Sequence, residues 1–237
     1  MTYTIANVEG RAALVADGHC YDLEAVSGGQ LGPDPMAALA VPERLAALTA
    51  ELDQHEPNAA LASADLGPPV PRPRNVFAIG LNYQAHADEG SMDVPDNPLV
   101  FTKFPSCLVG PTTDVELRSD AVDYEGELVV VIGPGGPVMV SPDSVERDRL
   151  RIVTEVNGEV RQDGTTDEPI FDIPTLVSYL SRVTTLSTGD LIFTGTPNGI
   201  GAAQGKFLAH GDVITTRIDG IGTLSNRCVR TTDHHVC

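Results

Sequence analysis

Asp123-Tyr124-Glu125-Gly126-Glu127 runs without a break into Leu128-Val129-Val130-Val131-Ile132-Gly133. The apolar run is short, β-branched and closed by glycine, which fits a buried strand. Alternate side chains of a strand share a face, so Glu125 and Glu127 are expected to point the same way. Two carboxylates so close repel each other. Burying them unpaired is costly, so one must take a proton or a cation must lie between them. Oxygen-only ligation favours magnesium, manganese or calcium over zinc. The same residues also suit an acidic edge leading into a buried strand, with both carboxylates in water.

Working outward, Val131-Ile132-Gly133-Pro134-Gly135-Gly136 resembles the opening of a dinucleotide fingerprint. The third glycine of that pattern would fall at Val138, and no helix pattern follows, so the fingerprint is dismissed. The other apolar segments of this part are also short and bounded by turn residues: Val76 to Leu81, Leu99 to Thr102, Val138 to Val140, Ile152 to Val156, Leu191 to Thr194, Val213 to Ile218 and Thr223 to Leu224. Only Ile173 to Leu186 carries a helical pattern. The balance predicts an α/β (α+β) body rich in strands, a mixed-sheet roll rather than alternating βαβ units.

Gly67 to Arg74 (GPPVPRPR) is a proline-rich linker. It divides the chain into a small N-terminal α+β domain, 1–70, and a larger domain, 71–237. In the first, Thr2 to Val8 and Ala12 to Ala16 read as strands, and Asp17-Gly18 as a turn. Pro35 to Leu52 has alanine and leucine at helical spacing, with Pro42 forcing a kink or a restart.

Fifteen basic and thirty-three acidic residues give a net charge of −18, which disfavours nucleic acid and anionic membranes. An anionic substrate would therefore need a cation or a few placed lysines and arginines. No apolar run approaches the roughly 18 residues of a membrane helix, and Met1 to Gly10 lacks a signal-peptide pattern, so a cytoplasmic protein is expected. Cys20, Cys107, Cys228 and Cys237 are scattered and read as structural thiols. His234 and His235 read as solvated.

Three further constellations could carry chemistry. Gly80-Leu81-Asn82-Tyr83-Gln84-Ala85-His86-Ala87-Asp88-Glu89 begins where a strand ends and could open a helix. His86 and Glu89 would then face each other at i and i+3. A carboxylate orients the imidazole and raises its basicity, suiting the pair to deprotonate water or a carbon acid; a solvated histidine at an exposed helix start fits as well. Lys103 ends an apolar run, either as a snorkelling surface lysine or as a receptor for a substrate carboxylate. Gly195-Thr196-Pro197-Asn198-Gly199-Ile200-Gly201 lacks the Gly-Lys-Ser/Thr ending of a phosphate loop. It is either a tight turn beside a ligand or an ordinary loop.

Taken in order, AIGLNYQAHADE, PLVFTKFPSCLVGP, VDYEGELVVVIG and EVNGEVRQDGTTDEPIFDIPTLVSYLSRVTTLSTGDLIFTGTPNGIG resemble the fumarylacetoacetate hydrolase family over about Asn75 to Arg227. The chain is most similar to its bacterial isomerase and acylpyruvate hydrolase-like members, and residues 1–70 resemble their small variable domain. The resemblance implies an enzyme that hydrolyses, isomerises or decarboxylates a small oxo- or dioxo-carboxylate. It assigns magnesium or manganese to Glu125 and Glu127, and general-base work on a mobile lid to His86 with Glu89. It makes Lys103 a catalytic residue that binds or polarises the substrate, with Tyr83, Gly195, Thr196 and Pro197 binding it, and it implies a homodimer. The alternative is a non-catalytic relative with a structural or regulatory role. The family also carries, after the glutamate-bearing strand, a stretch with a third metal carboxylate in an Asn/Gln-Asp-x-Ser-x-Arg motif and a lysine in a Gly-Lys-Ser motif. Neither motif occurs here, so a segment near 133–138 is expected to be missing. Asp123 is a conceivable substitute ligand.

Overall fold

The structure is a computed structural model, and it describes residues 3–134, 136–137 and 149–230. Met1, Thr2, Val138 to Val140, His234, His235 and Cys237, as well as part of the expected gap, lie outside these residues.

The chain opens with strands β1 (Ile5–Val8), β2 (Arg11–Ala16) and β3 (His19–Asp22). Asp17 and Gly18 join β2 to β3 with φ of 48° and 74°, the left-handed pair that matches the twist of a two-residue hairpin. Three short helices follow: α1 (Leu23–Val26), α2 (Pro35–Ala38) and α3 (Pro42–Thr49). The helical stretch from Pro35 to Leu52 thus restarts at Pro42, which can begin a helix but cannot continue one. β4 (Ala59–Ala60) and β5 (Leu66–Gly67) complete an antiparallel sheet ordered β4-β3-β2-β1-β5.

The second sheet contains β6 (Val76–Gly80), which leads into helix α4 (Gln84–Glu89), and the edge strand β7 (Leu99–Thr102). After the short β8 (Val115–Glu116) come β9 (Val129–Gly133) and β10 (Gly136–Pro137), an antiparallel pair where a dinucleotide fold would require a helix. β11 (Arg151–Val156) and β12 (Glu159–Thr165) form a hairpin, followed by α5 (Ile173–Ser181), β13 (Leu191–Phe193), α6 (Gly201–Gln204), β14 (Val213–Ile218) and β15 (Gly222–Val229). The remaining sheets are ordered β10-β9-β13-β6-β7 and β12-β11-β14-β15-β8. The α/β roll of mixed sheets expected from the sequence is therefore present. α5 ends before Leu186, since the β-branched Val183, Thr184 and Thr185 that follow are poor helix formers; Leu186 still packs on the core.

The β6-β13-β9 sheet is buried on both faces, which explains why its strands read as continuous apolar runs. Val76, Val131 and Leu191 face the N-terminal sheet and its helices, sharing a core with Leu14, Leu23 and Leu45. The alternate residues Phe77, Ile79, Val130, Ile132 and Ile192 face α5 through Leu176 and Leu180. Each such leucine contributes roughly 1.5–3 kcal/mol on burial. The linker takes part in this packing, because Val70 is buried in the first core. Cys20, Cys107 and Cys228 are free thiols, the first and last of them buried.

Among the described residues, no helix is long and apolar enough to cross a membrane. One expectation fails in detail: Glu125 and Glu127 precede the strand rather than lie on it, since β9 begins only at Val129. The cause is local. The backbone N–H and C=O of Gly126 bond to the side chains of Gln162 and Thr196, not to a neighbouring strand, so no ladder forms there.

Candidate active site

The parallel strands β6 and β13 end side by side, with Val76 to Ala78 in register against Leu191 to Phe193. Antiparallel β9 starts at the same end, pairing Val129 with Phe193. The loops leaving β6 and β13 and the segment entering β9 therefore converge, and they carry most of the residues singled out above.

Glu127 is the electrostatic centre, with its side chain only 7% exposed. Its Oε2 accepts a hydrogen bond from the Gly195 N–H at 2.8 Å, and its Oε1 lies 3.7 Å from Lys103 Nζ. Burial pushes its pKa up to about 7 and the neighbouring Glu125 adds to the rise, against the opposing pull of Lys103 and the Gly195 N–H. The two carboxylates do sense each other, but they are not equivalent: Glu125 is exposed. A half-compensated buried carboxylate beside a second one matches a hard divalent cation in donor type, with two side-chain ligands. Among the described residues no third carboxylate, histidine or cysteine completes a ligand cluster. Asp123 does not supply one, because its oxygens accept from the backbone N–H groups of Gly201 and Ala202 at 2.6 and 2.7 Å.

Lys103 is not a free surface lysine. It is partly buried, 4.9 Å from the Phe193 ring centre and 5.9 Å from that of Phe101, so its stem and charge are held beside Glu127. Tyr83 is buried, and burial raises its pKa to about 12, with Glu168 and Glu127 adding to the effect. Its hydroxyl has no hydrogen-bond partner among the described residues. A buried phenol that senses Glu168 and Glu127 is an unmet donor in the same acidic surroundings.

The helical spacing of the histidine motif holds. His86 Nδ1 and Glu89 Oε1 are 3.0 Å apart on α4, and the imidazole is buried rather than solvated. Both Glu89 oxygens also accept from the Gly199 N–H, at 2.9 and 3.0 Å. With Nδ1 turned to the carboxylate, Nε2 is left to meet a substrate proton.

One loop, Gly195 to Gly199, therefore touches both parts of the site. Its first N–H holds Glu127 and its last holds Glu89. Four residues of chain reach at most about 14 Å, so the acidic pair and the dyad lie within the span of a small molecule and its surroundings. Gly199 has φ of 100°, and a Cβ there would come within 2.0 Å of the Arg161 carbonyl oxygen, so only glycine fits this turn. In the stretch expected to line the site, Thr196 Oγ1 and the Pro197 carbonyl accept from Gln162 Nε2, at 2.7 and 2.9 Å.

Two polar residues that build the site, Asn82 and Gln162, carried no signal of their own in the sequence, and neither did Asp190, which fixes the same strand pair at its far end. Asn82 is fully buried and ties Phe171 to the end of β13. Asp190 accepts from Asn75 and Ser187 at the start of the same strand pair. Gln162 lies in β12, whose sequence EVRQDGT is too polar to stand out as a strand.

Comparison with known proteins bears on the whole arrangement. A family model described as fumarylacetoacetate (FAA) hydrolase C-terminal matches residues 75–135 and 133–229. The chain belongs to the fumarylacetoacetate hydrolase family. Among family relatives, the oxaloacetate tautomerase YisK of Bacillus subtilis is 37% identical over 222 residues, covering 70% of this chain and 74% of its own. The aligned length exceeds the share of this 237-residue chain that takes part, so YisK carries residues with no counterpart here. Among solved structures, maleylpyruvate hydrolase from Sphingobium sp. SYK-6, in complex with manganese(II) and pyruvate, superposes with a TM-score of 0.80 at 26% identity, covering 98% of this chain and 100% of that one. The 5-carboxymethyl-2-hydroxymuconate delta-isomerase of Mycobacterium smegmatis superposes with a TM-score of 0.69 at 25% identity, over 98% and 100% of the two chains.

Proposed function

We propose that this protein is a divalent-metal-dependent enzyme that removes a proton beside the carbonyl of a small 2-oxo acid, and that Glu125 and Glu127 hold magnesium or manganese. The observation that carries this reading is the Gly195–Gly199 loop, which joins a buried, under-compensated carboxylate to a histidine–glutamate dyad. Its kinship with an oxaloacetate tautomerase and with a hydrolase bound to manganese and pyruvate supports the same substrate class. A divalent cation bound there supplies a Lewis acid for the oxo-acid end of the substrate.

The protein's own residues do the rest. Lys103 attracts the substrate carboxylate and offsets charge on Glu127. Glu89, held by Gly199, keeps the His86 ring oriented so that Nε2 accepts the carbon-bound proton, and the electron pair of that C–H bond moves into the carbonyl as an enolate. Returning the proton to oxygen gives the enol tautomer. For hydrolysis His86 would take its proton from water instead: the water oxygen adds to the acyl carbonyl, the C–C bond electrons leave as the enolate of the oxo acid, and that proton returns to its carbon.

The test is proton exchange at the methylene of oxaloacetate in D₂O, followed by NMR with magnesium present, together with hydrolysis of an acylpyruvate. Wild type should accelerate at least one reaction, and His86→Ala should slow it by roughly 10²–10⁴. A wild-type protein that accelerates neither would favour the non-catalytic alternative, and an unchanged rate in His86→Ala would remove the dyad from the mechanism.

A further inference from the structure

Gln162 lies on β12 and was given no part in the site by the sequence, yet it is 1% exposed and its side-chain hydrogen bonds join the Gly126 peptide to the Thr196–Pro197 loop. Its Oε1 accepts from the Gly126 N–H at 2.8 Å. Its Nε2 donates to Thr196 Oγ1 at 2.7 Å and to the Pro197 carbonyl at 2.9 Å. The Thr196 hydroxyl in turn donates to the Gly126 carbonyl at 2.9 Å. Gly126 is the residue between the two glutamates, so both polar groups of its backbone are held from one side by a closed ring of hydrogen bonds. The amide cannot be reversed: a flipped Gln162 would set its NH₂ against the Gly126 N–H and its oxygen against the Pro197 carbonyl. A Cβ on residue 126 would approach Thr154 Oγ1 to 2.3 Å and Gln162 Oε1 to 3.4 Å, so the segment lies directly on the face of the β11–β12 hairpin that carries Gln162. The Gly195 N–H then fixes the end of the Glu127 side chain.

We infer that Gln162 is the positioning residue of the carboxylate pair, setting through the Gly126 peptide the directions in which Glu125 and Glu127 leave the backbone, and so the affinity of the site for a divalent cation. This rests on the proposed metal-dependent function. It also gives Thr196 and Pro197 a different part, as the far anchors of the Gln162 amide. A carboxylate variant cannot replace the amide, because an oxygen at Nε2 would face the Pro197 carbonyl.

The experiment compares wild type, Gln162→Met, Gln162→Glu and Leu45→Ala. Met keeps much of the length of the side chain without its hydrogen bonds. Leu45 is fully buried in the N-terminal core and serves as a destabilised control that does not touch this ring. Manganese affinity of the metal-free proteins, read by electron paramagnetic resonance, should fall about 10–100-fold in both Gln162 variants, the usual effect of losing a group that orients a metal ligand, and stay within about twofold in Leu45→Ala. Amide hydrogen exchange, read by NMR without metal, should speed up at Gly126 and Gly195 in the Gln162 variants and not in the control. Unchanged manganese affinity in Gln162→Met, or an equal loss in Leu45→Ala, overturns the inference. If wild type takes up no manganese, the functional reading falls, and exchange alone decides Gln162: wild-type protection of Gly126 in Gln162→Met overturns its role in positioning.

Discussion

Asn82→Ala should be among the most destabilising single substitutions near the site, and the structure sets its size. The Asn82 carboxamide donates to the Phe171 carbonyl at 3.0 Å and to the Thr194 carbonyl at 2.8 Å, and accepts from the Phe171 N–H at 2.8 Å. Truncation strands one backbone donor and two acceptors around a fully buried position. A buried polar group left without a partner costs about 1–3 kcal/mol. Phe171 is only partly buried, so water can reach some of the stranded groups, and the expected total is roughly 2–4 kcal/mol. For a protein of this size 1 kcal/mol moves the midpoint by about 2–4 °C, so thermal unfolding followed by circular dichroism should show a drop of roughly 5–15 °C. Asn82→Asp should be worse at neutral pH, because an oxygen replaces the group that faces two carbonyl oxygens, and should recover as the pH falls and the carboxyl regains a proton to donate. A midpoint within about 2 °C of wild type for Asn82→Ala would show that the 166–172 loop is not held by this residue, and would refute the reasoning.

Two other outcomes follow from single contacts. Lys103→Met removes the cation 3.7 Å from Glu127, so calorimetric titration with oxalate in magnesium should show binding weaker by about 10–150-fold, the worth of a charged hydrogen bond; equal affinity would leave Lys103 outside the binding site. Asp172 caps α5 by accepting from the Thr175 N–H at 2.9 Å, and Thr175 holds its carboxyl below the usual range. A depressed folded-state pKa means that its stabilisation is complete at neutral pH and is lost as the pH falls from about 4 through the lowered folded-state pKa, so Asp172→Ala should cost about 1 kcal/mol in urea unfolding at pH 7 and progressively less as the pH is taken below about 4.

Elements whose signal is local were legible in the sequence. The β-branched runs at Val76, Val129, Ile152 and Val213 are strands because little else suits them, and the i, i+3 spacing of His86 and Glu89 brings them together on any helix. What stayed hidden depends on partners distant in sequence. Whether His86 and Lys103 were solvated or buried could not be told from neighbouring residues, since Gly199 and Phe193 lie far along the chain. The glutamate pair precedes its strand, although its sequence runs straight into β9, because the ring from Gln162 and Thr196 takes the backbone groups a ladder would use. β12 went unseen, since its inward positions are Gln162 and Gly164 rather than apolar residues.

The acidic pair also predicts how the site should bind metal. The family model matches in two pieces that meet at 133–135, and the relative YisK carries residues with no counterpart here. If the stretch absent at that junction is the one that bears a third carboxylate in other members, Glu125 and Glu127 are the only side-chain ligands among the described residues. Magnesium and manganese keep several waters on such a site and bind it weakly. Glu127 is already fixed by the Gly195 N–H, whereas Glu125 is exposed and must be ordered when a cation binds. A 2-oxo acid or oxalate brings two further oxygens and a negative charge toward Lys103, so cation and ligand should each raise the affinity of the other by the same factor. A coupling of about 1–3 kcal/mol corresponds to roughly 5–150-fold. Manganese titration with and without saturating oxalate measures this directly. Tight manganese binding that oxalate leaves unchanged would show a complete ligand set in the absence of substrate, and with it a third ligand that this account of the site does not contain.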